Sequence, residues 1–136
     1  MPATAGSAAS SPRALLAELA PRVPMGLVTC ACRVHFDVIH AGVGLLPQVR
    51  FVLTKEMYGR SKPSPELYLL GVETIGVPAA HCLVVEDAPR GLRAAMAAGM
   101  RCIVLRNSMS KNFAFDGAEW IVDSVQSLRE AIDNLL

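Results

Sequence analysis

A chain of 136 residues corresponds to one domain, and with 52% hydrophobic and 18% charged residues it can bury a sizeable core. Its 13 basic and 12 acidic residues leave a net charge of +1, so there is no electrostatic footprint for nucleic acid or an anionic membrane surface. No apolar run reaches membrane-spanning length, and the 4 cysteines lack a disulfide framework, which points to a reducing, cytoplasmic compartment.

Residues 1–11 are rich in Ala, Ser and Pro and have no apolar run of the kind a secretory signal needs. They share with transit peptides the lack of any acid before Glu18, but Arg13 is the single base nearby, and a disordered tail is expected ahead of a domain over 12–136. Ser11 and Pro12 suit the N-cap and first position of a short helix, Arg13 to Ala20, ended by Pro21 and Pro24. Met25 to Thr29 is an apolar run ending in a hydroxyl and predicts a strand. A helix is expected over 31–42, with Val34, Val38 and Ala41 on one face and Gly42/Gly44 ending it. Phe51 to Thr54 predicts a second strand. Ser64 as N-cap and Pro65 at the first position open a helix to about Ile75, closed by Gly76 and Pro78.

A third strand, Cys82 to Val85, is followed by a helix over Pro89 to Ala98, stopped by Gly99, and a fourth strand, Cys102 to Leu105. After a polar loop from Asn107 to Asp116 come a short edge strand, Trp120 to Val122, and a closing helix, Ser127 to Leu136. Strands alternating with helices predict an α/β fold with a doubly wound, Rossmann-like parallel sheet. Cys82 and Cys102 fall in apolar runs as small hydrophobes. Cys30-Ala31-Cys32 lacks the spacing of a zinc or redox motif, and His35 and His40 diverge on a helix, so no zinc site is expected.

Three points on this pattern carry chemistry. The strand ending at Val85 delivers Glu86 and Asp87 to its carboxyl end, where open α/β sheets bind ligands. Paired carboxylates there suit a hard, hydrated cation such as Mg²⁺, although two acids at a helix start also suit the helix dipole with no metal at all. In Arg60-Ser61-Lys62-Pro63-Ser64-Pro65-Glu66, Pro63 restrains Lys62 to extended backbone just before a helix N-terminus, a cation set for phosphoryl oxygens. Thr29 ends its strand where its hydroxyl and the following amide of Cys30 can meet a phosphoryl oxygen. Each residue alone has an ordinary structural explanation. As a set on one sheet rim, Thr29, Cys30, Lys62, Glu86 and Asp87 form an electrostatic clamp for phosphoryl transfer.

Over about Leu15 to Leu136 the chain resembles the haloacid dehalogenase-like (HAD) hydrolase superfamily, in the branch containing phosphoglycolate phosphatase and β-phosphoglucomutase-like enzymes. The resemblance rests on Lys62-Pro63-Ser64-Pro65-Glu66-Leu67-Tyr68-Leu69 and on Glu86-Asp87-Ala88-Pro89-Arg90-Gly91-Leu92-Arg93-Ala94-Ala95 with Ala98-Gly99-Met100. It implies that Thr29 is the family's strand-end hydroxyl and Lys62 its lysine, both catalytic and phosphate-binding. It further implies that Glu86 and Asp87 hold Mg²⁺ and that the substrate is a phosphorylated small molecule.

The family's chemistry also needs an Asp nucleophile on a central first strand and an Asp acid/base two residues later. The 136 residues contain no Asp before Asp37, which falls within a predicted helix facing away from the rim, and no substrate-selecting cap. The resemblance places the absent strand between those ending at Thr29 and Val85, where exposed mid-sheet backbone would otherwise result. Those strands then pair directly, or a partner chain or self-association covers the gap, or the chain is poorly stable. Three functional readings stay open: a truncated HAD-type phosphohydrolase, a non-catalytic phosphate- and Mg²⁺-binding module, and a split half needing another chain for its nucleophile.

Overall fold

The computed structural model describes residues 11–136, so the tail expected over 1–11 lies outside the described residues except for Ser11. Ser11 is the N-cap of helix α1 (Pro12–Leu19), its hydroxyl accepting from the amide of Ala14 at 3.1 Å with Pro12 in the first turn. Strand β1 (Gly26–Val28) leads to α2 (Arg33–His40), β2 (Phe51–Leu53) and α3 (Glu66–Ile75). Then follow β3 (Leu83–Glu86), α4 (Pro89–Ala97), β4 (Arg101–Leu105), β5 (Trp120–Val122) and α5 (Val125–Leu135). Short 3₁₀ turns at Leu46–Gln48, Lys55–Met57 and Ala79–His81 tighten three of the connections.

All strand pairs are parallel, as the alternation of strands and helices predicts, but they fall into two sheets. β1 pairs with β2, Leu27 opposite Val52, and β3–β4–β5 form a three-stranded sheet with Val85 opposite Ile103 and Val104 opposite Ile121. The two ladders do not join. Among the described residues β1 has one edge on β2 and no partner on the other, and β3 has one edge on β4 and no partner on the other. Helix α3 packs on β1 and β2 and also on α4, so it spans this seam. Val28 packs against the same cluster as Val84, so both strands contribute to one core.

Alternation along β4 sorts the core into two clusters, one on each face. Cys102 and Val104 face α3 and α4 with Leu67, Tyr68, Leu92, Ala94 and Ala95, and Phe115 closes that side. Ile103 points the other way, toward Leu15 and Leu19 of α1 and Leu128, Ala131 and Ile132 of α5. Small residues let α4 lie close on the sheet: Ala94 and Ala95 are fully buried and Ala98 nearly so, whereas Ala97 faces solvent.

Three local expectations are corrected. The face of α2 assigned to Val34, Val38 and Ala41 is solvent-exposed, with Val34 70% and Val38 74% accessible. Phe36 is the buried residue, at 1%, with His40 stacked on it at 4.3 Å between ring centres. The large ring of Phe36, with His40 stacked on it, takes the inside and sets the helix's roll. At α3, Pro65 and not Ser64 is the N-cap. Ser64 still serves the helix end, accepting from the amide of Glu66 at 3.3 Å. The closing helix starts at Val125, two residues early, because Ser124 caps it through the amide of Ser127 at 3.0 Å.

Candidate active site

Thr29 follows β1 directly, and its amide donates to the carbonyl of Leu53 at 3.0 Å, extending the β1–β2 ladder by one bond. Its hydroxyl accepts from the amide of Ala31 at 3.1 Å, which bends the chain at Cys30 and holds the Cys30–Ala31 segment across the strand end. The Tyr58 hydroxyl donates to the Thr29 carbonyl at 3.2 Å. Burial, then the Cys30 side chain, raise Tyr58 above the ordinary phenol range, so it remains a donor.

Lys62 lies in the segment before α3, joined to Pro63 by a cis peptide bond that the sequence did not reveal. The Arg90 guanidinium donates to its carbonyl at 2.5 Å, tying the lysine's backbone to the first turn of α4. Its ammonium donates to Glu86 Oε2, also at 2.5 Å. The Tyr68 hydroxyl, on the buried side of α3, donates to the same oxygen. Glu86 Oε1 accepts from the amide of Asp87 at 3.2 Å. Glu86 is 7% exposed, and it sits against Gly91, where a β-carbon would fall 2.0 Å from its Cδ.

Asp87 is exposed at the rim, and its Oδ2 accepts from the Asn107 amide at 3.1 Å. Asn107 is the lip of a polar cavity of about 420 Å³ lined by Arg106, Ser108, Lys111, Asn112 and Asp123. In it Arg106 holds Asp123 through two bonds of 2.8 Å, keeping the Asp123 carboxyl below its ordinary range.

The structure therefore brings Lys62, Glu86 and Asp87 together. Thr29 and Cys30 sit at the end of the neighbouring sheet, and burial followed by the charge of Glu86 raises Tyr68 above the ordinary phenol range, so it stays a donor. The residues that sequence reasoning missed are Tyr68, Arg90 and Asn107. Tyr68 stands inside the quoted motif, and the signal for it was a hydroxyl on the apolar face of a helix, which must find a partner when buried. Asn107 gave no signal beyond its place after a strand.

Mg²⁺ keeps several waters and needs one or two carboxylates. Asp87 meets that description. Glu86 has both oxygens engaged and offers a metal only the lone pairs left beside Lys62, Tyr68 and the Asp87 amide. Among the described residues there is no group of three or more His, Cys, Asp or Glu side chains placed to hold a metal ion.

The sequence profile of the haloacid dehalogenase-like hydrolases matches residues 9–105. The chain belongs to this family. As a HAD-like chain it is 32% identical over 90 residues to a putative phosphatase, YhcW, of Bacillus subtilis, covering 66% of this chain and 41% of that protein. It is 37% identical over 93 residues to the protein CbbY of Cereibacter sphaeroides, covering 68% of this chain and 35% of that one. The crystal structure of CbbY from Rhodobacter sphaeroides in complex with phosphate superposes with a TM-score of 0.79 at 28% identity, over 86% of this chain and 55% of that one. The chain thus spans roughly a third to a half of the length of these relatives, and it is phosphatase kin. No described helix is long and apolar enough to cross a membrane.

Proposed function

We propose that this chain carries the phosphate-binding and metal-facing part of a Mg²⁺-dependent phosphate-monoester hydrolase or phosphomutase acting on a phosphorylated small molecule. In this reading the 136 residues are a truncated form, inactive alone. The observation that carries it is the Lys62 ammonium held at the rim by Glu86, next to the exposed carboxylate of Asp87. Thr29 and the Cys30 amide bind phosphoryl oxygens from the neighbouring strand end, and Lys62 supplies charge where the transferred group accumulates it. Bound Mg²⁺ would add charge neutralisation on the side of Asp87. The phosphate held by the CbbY relative supports the same ligand chemistry here.

Inactivity is expected because neither carboxylate ahead of β2 is placed as the nucleophile. Glu18 is paired with Arg129 at 3.0 Å, and Asp37 with Arg33 at 3.3 Å on an exposed helix, so neither serves as an in-line nucleophile. The nucleophile belongs on an extended segment lying in the seam between β1 and β3, supplied by another stretch of polypeptide or by a partner chain. We place the protein in the cytoplasm, where its free thiols, Cys30 exposed among them, persist.

A second reading is a non-catalytic phosphate- and Mg²⁺-binding module, which keeps the rim of Lys62 and the exposed Asp87 while both Glu18 and Asp37 are held in ion pairs away from it. The test is titration with inorganic phosphate while backbone amides are followed by NMR. Shifts confined to Thr29–Ala31, Lys62 and Glu86–Ala88, and lost in Lys62→Ala, support the rim as the phosphate site. Shifts elsewhere, or none, overturn it. Supplying the seam strand as a peptide with an Asp at its end then separates the two readings, because only an enzyme fragment gains turnover.

A further inference from the structure

We propose that Tyr68 is a positioning residue for the phosphate-facing lysine: through its hydrogen bond to Glu86 it fixes the carboxylate that in turn fixes Lys62. The inference rests on the rim being a phosphate site, and it adds a residue to which no role has been assigned. A buried tyrosine needs an acceptor, and a backbone carbonyl would serve. Tyr68 instead uses Glu86 Oε2, the oxygen that also accepts from Lys62 Nζ.

The consequence is geometric. A carboxylate that accepts from a single lysine can rotate about its terminal bond and carry the ammonium with it. Here Oε2 is held by two donors, Oε1 accepts from the Asp87 amide, and Gly91 closes off the remaining side. The Lys62 ammonium also lies 5.8 Å from the centre of the Tyr68 ring, so the same side chain flanks it. An ammonium has three N–H donors. One is committed to Glu86, and the side chain keeps 18% of its surface exposed, so the others are left for a ligand. Arg90 ties the lysine's backbone to α4.

The experiment uses the full chain, wild type and Tyr68→Phe, with inorganic phosphate as the probe. The variant keeps the ring and loses only the hydroxyl. Its phosphate affinity should fall about tenfold, on the order expected when one hydrogen bond to a charged group is lost. The ¹⁵N resonance of the Lys62 ammonium should broaden or split even without phosphate, because the ammonium is no longer held in one place. A folded variant with the wild-type Lys62 signal and phosphate affinity overturns the proposal. If wild type itself fails to bind phosphate, the functional reading falls, while the Lys62 signal without ligand still decides the positioning role. Should the variant not fold, wild type decides: phosphate should shift the Tyr68 ring carbons in step with the Lys62 ammonium, and unmoved ring carbons overturn the proposal.

Discussion

Gly91 and Glu86 meet so closely that an added methyl on Gly91 would lie 2.0 Å from the Glu86 carboxyl carbon and 2.1 Å from Oε1. The first turn of α4 therefore forms the back wall of the carboxylate that anchors Lys62, and glycine is required there for space and not for an unusual backbone angle.

Gly91→Ala sets two effects against each other. Alanine inside a helix gains about 1 kcal/mol over glycine. Pushing a buried carboxylate off Lys62 and Tyr68 costs roughly 3 kcal/mol, the scale seen when a buried pair is broken. A net loss of about 2 kcal/mol is expected in urea unfolding. An unchanged or raised midpoint would show that Glu86 has room to move.

Alkali should unfold the protein through groups whose protons are harder to remove when folded. Burial, then the charge of Glu86, push the Cys102 thiol up from 9.0 to about 12, and burial with Glu86 raises Tyr68 also. A raised folded-state value means the folded state binds more protons, so this stability is intact below pH 9 and declines as pH rises toward 12. Each such group removes up to about 1.4 kcal/mol per pH unit in its window. Chemical denaturation from pH 8 to 11 should give a shallower decline in Cys102→Ala than in wild type. Equal slopes would assign the alkaline loss to other groups.

Mg²⁺ should bind weakly, through Asp87 with Glu86 as the adjoining carboxylate, because two acids alone leave most of the coordination to water. Calorimetric titration of wild type against Asp87→Asn should show the heat lost in the variant. Indistinguishable titrations would leave Asp87 an ordinary solvated acid at a helix start and Glu86 a structural partner of Lys62 and Tyr68.

The isolated chain should turn over an aryl phosphate negligibly in the presence of Mg²⁺. Positioned charge lowers a barrier, but a catalytic unit missing its nucleophile forfeits most of its rate enhancement. Robust turnover that disappears in Lys62→Ala would refute this and point to a nucleophile elsewhere in the chain.

What could be read from the sequence, and what could not, divides along physical lines. The order of strands and helices was legible, because short apolar runs punctuated by Pro and Gly are local signals. The cap at Ser11 and the left-handed Gly76 and Gly99 fall where residue type demands. The roll of α2 was not legible: apolar residues at Val34 and Val38 resemble a core stripe, and only tertiary packing shows that Phe36 takes the inside. At the rim, Lys62, Glu86 and Asp87 were found from motif spacing. That Lys62 and Glu86 bond each other, with Tyr68 as the third member, depends on how α3 lies across the end of β3, and nothing local encodes it. The seam itself followed from the family resemblance. The described strands resolve the three outcomes left open to the extent that β1 and β3 do not pair.

The seam also bears on how the molecule comes apart. β4 is bonded on both sides and has helices on both faces, whereas β1 and β2 form a two-stranded ribbon with α3 packed on it. Two parallel strands are marginal by themselves. Residues 26–57 thus form a region that can detach and reseat while the sheet around β4 stays intact, a partial opening below the free energy of global unfolding. Proteases and deuterium would reach this region first. Thr29 and Cys30 ride on it, while Lys62 is bonded to the stable part through Glu86 and Arg90. Thr29 with Cys30 and Lys62 with Glu86 therefore have separate lifetimes, and a ligand that bridged them would draw the two into a single cooperative unit.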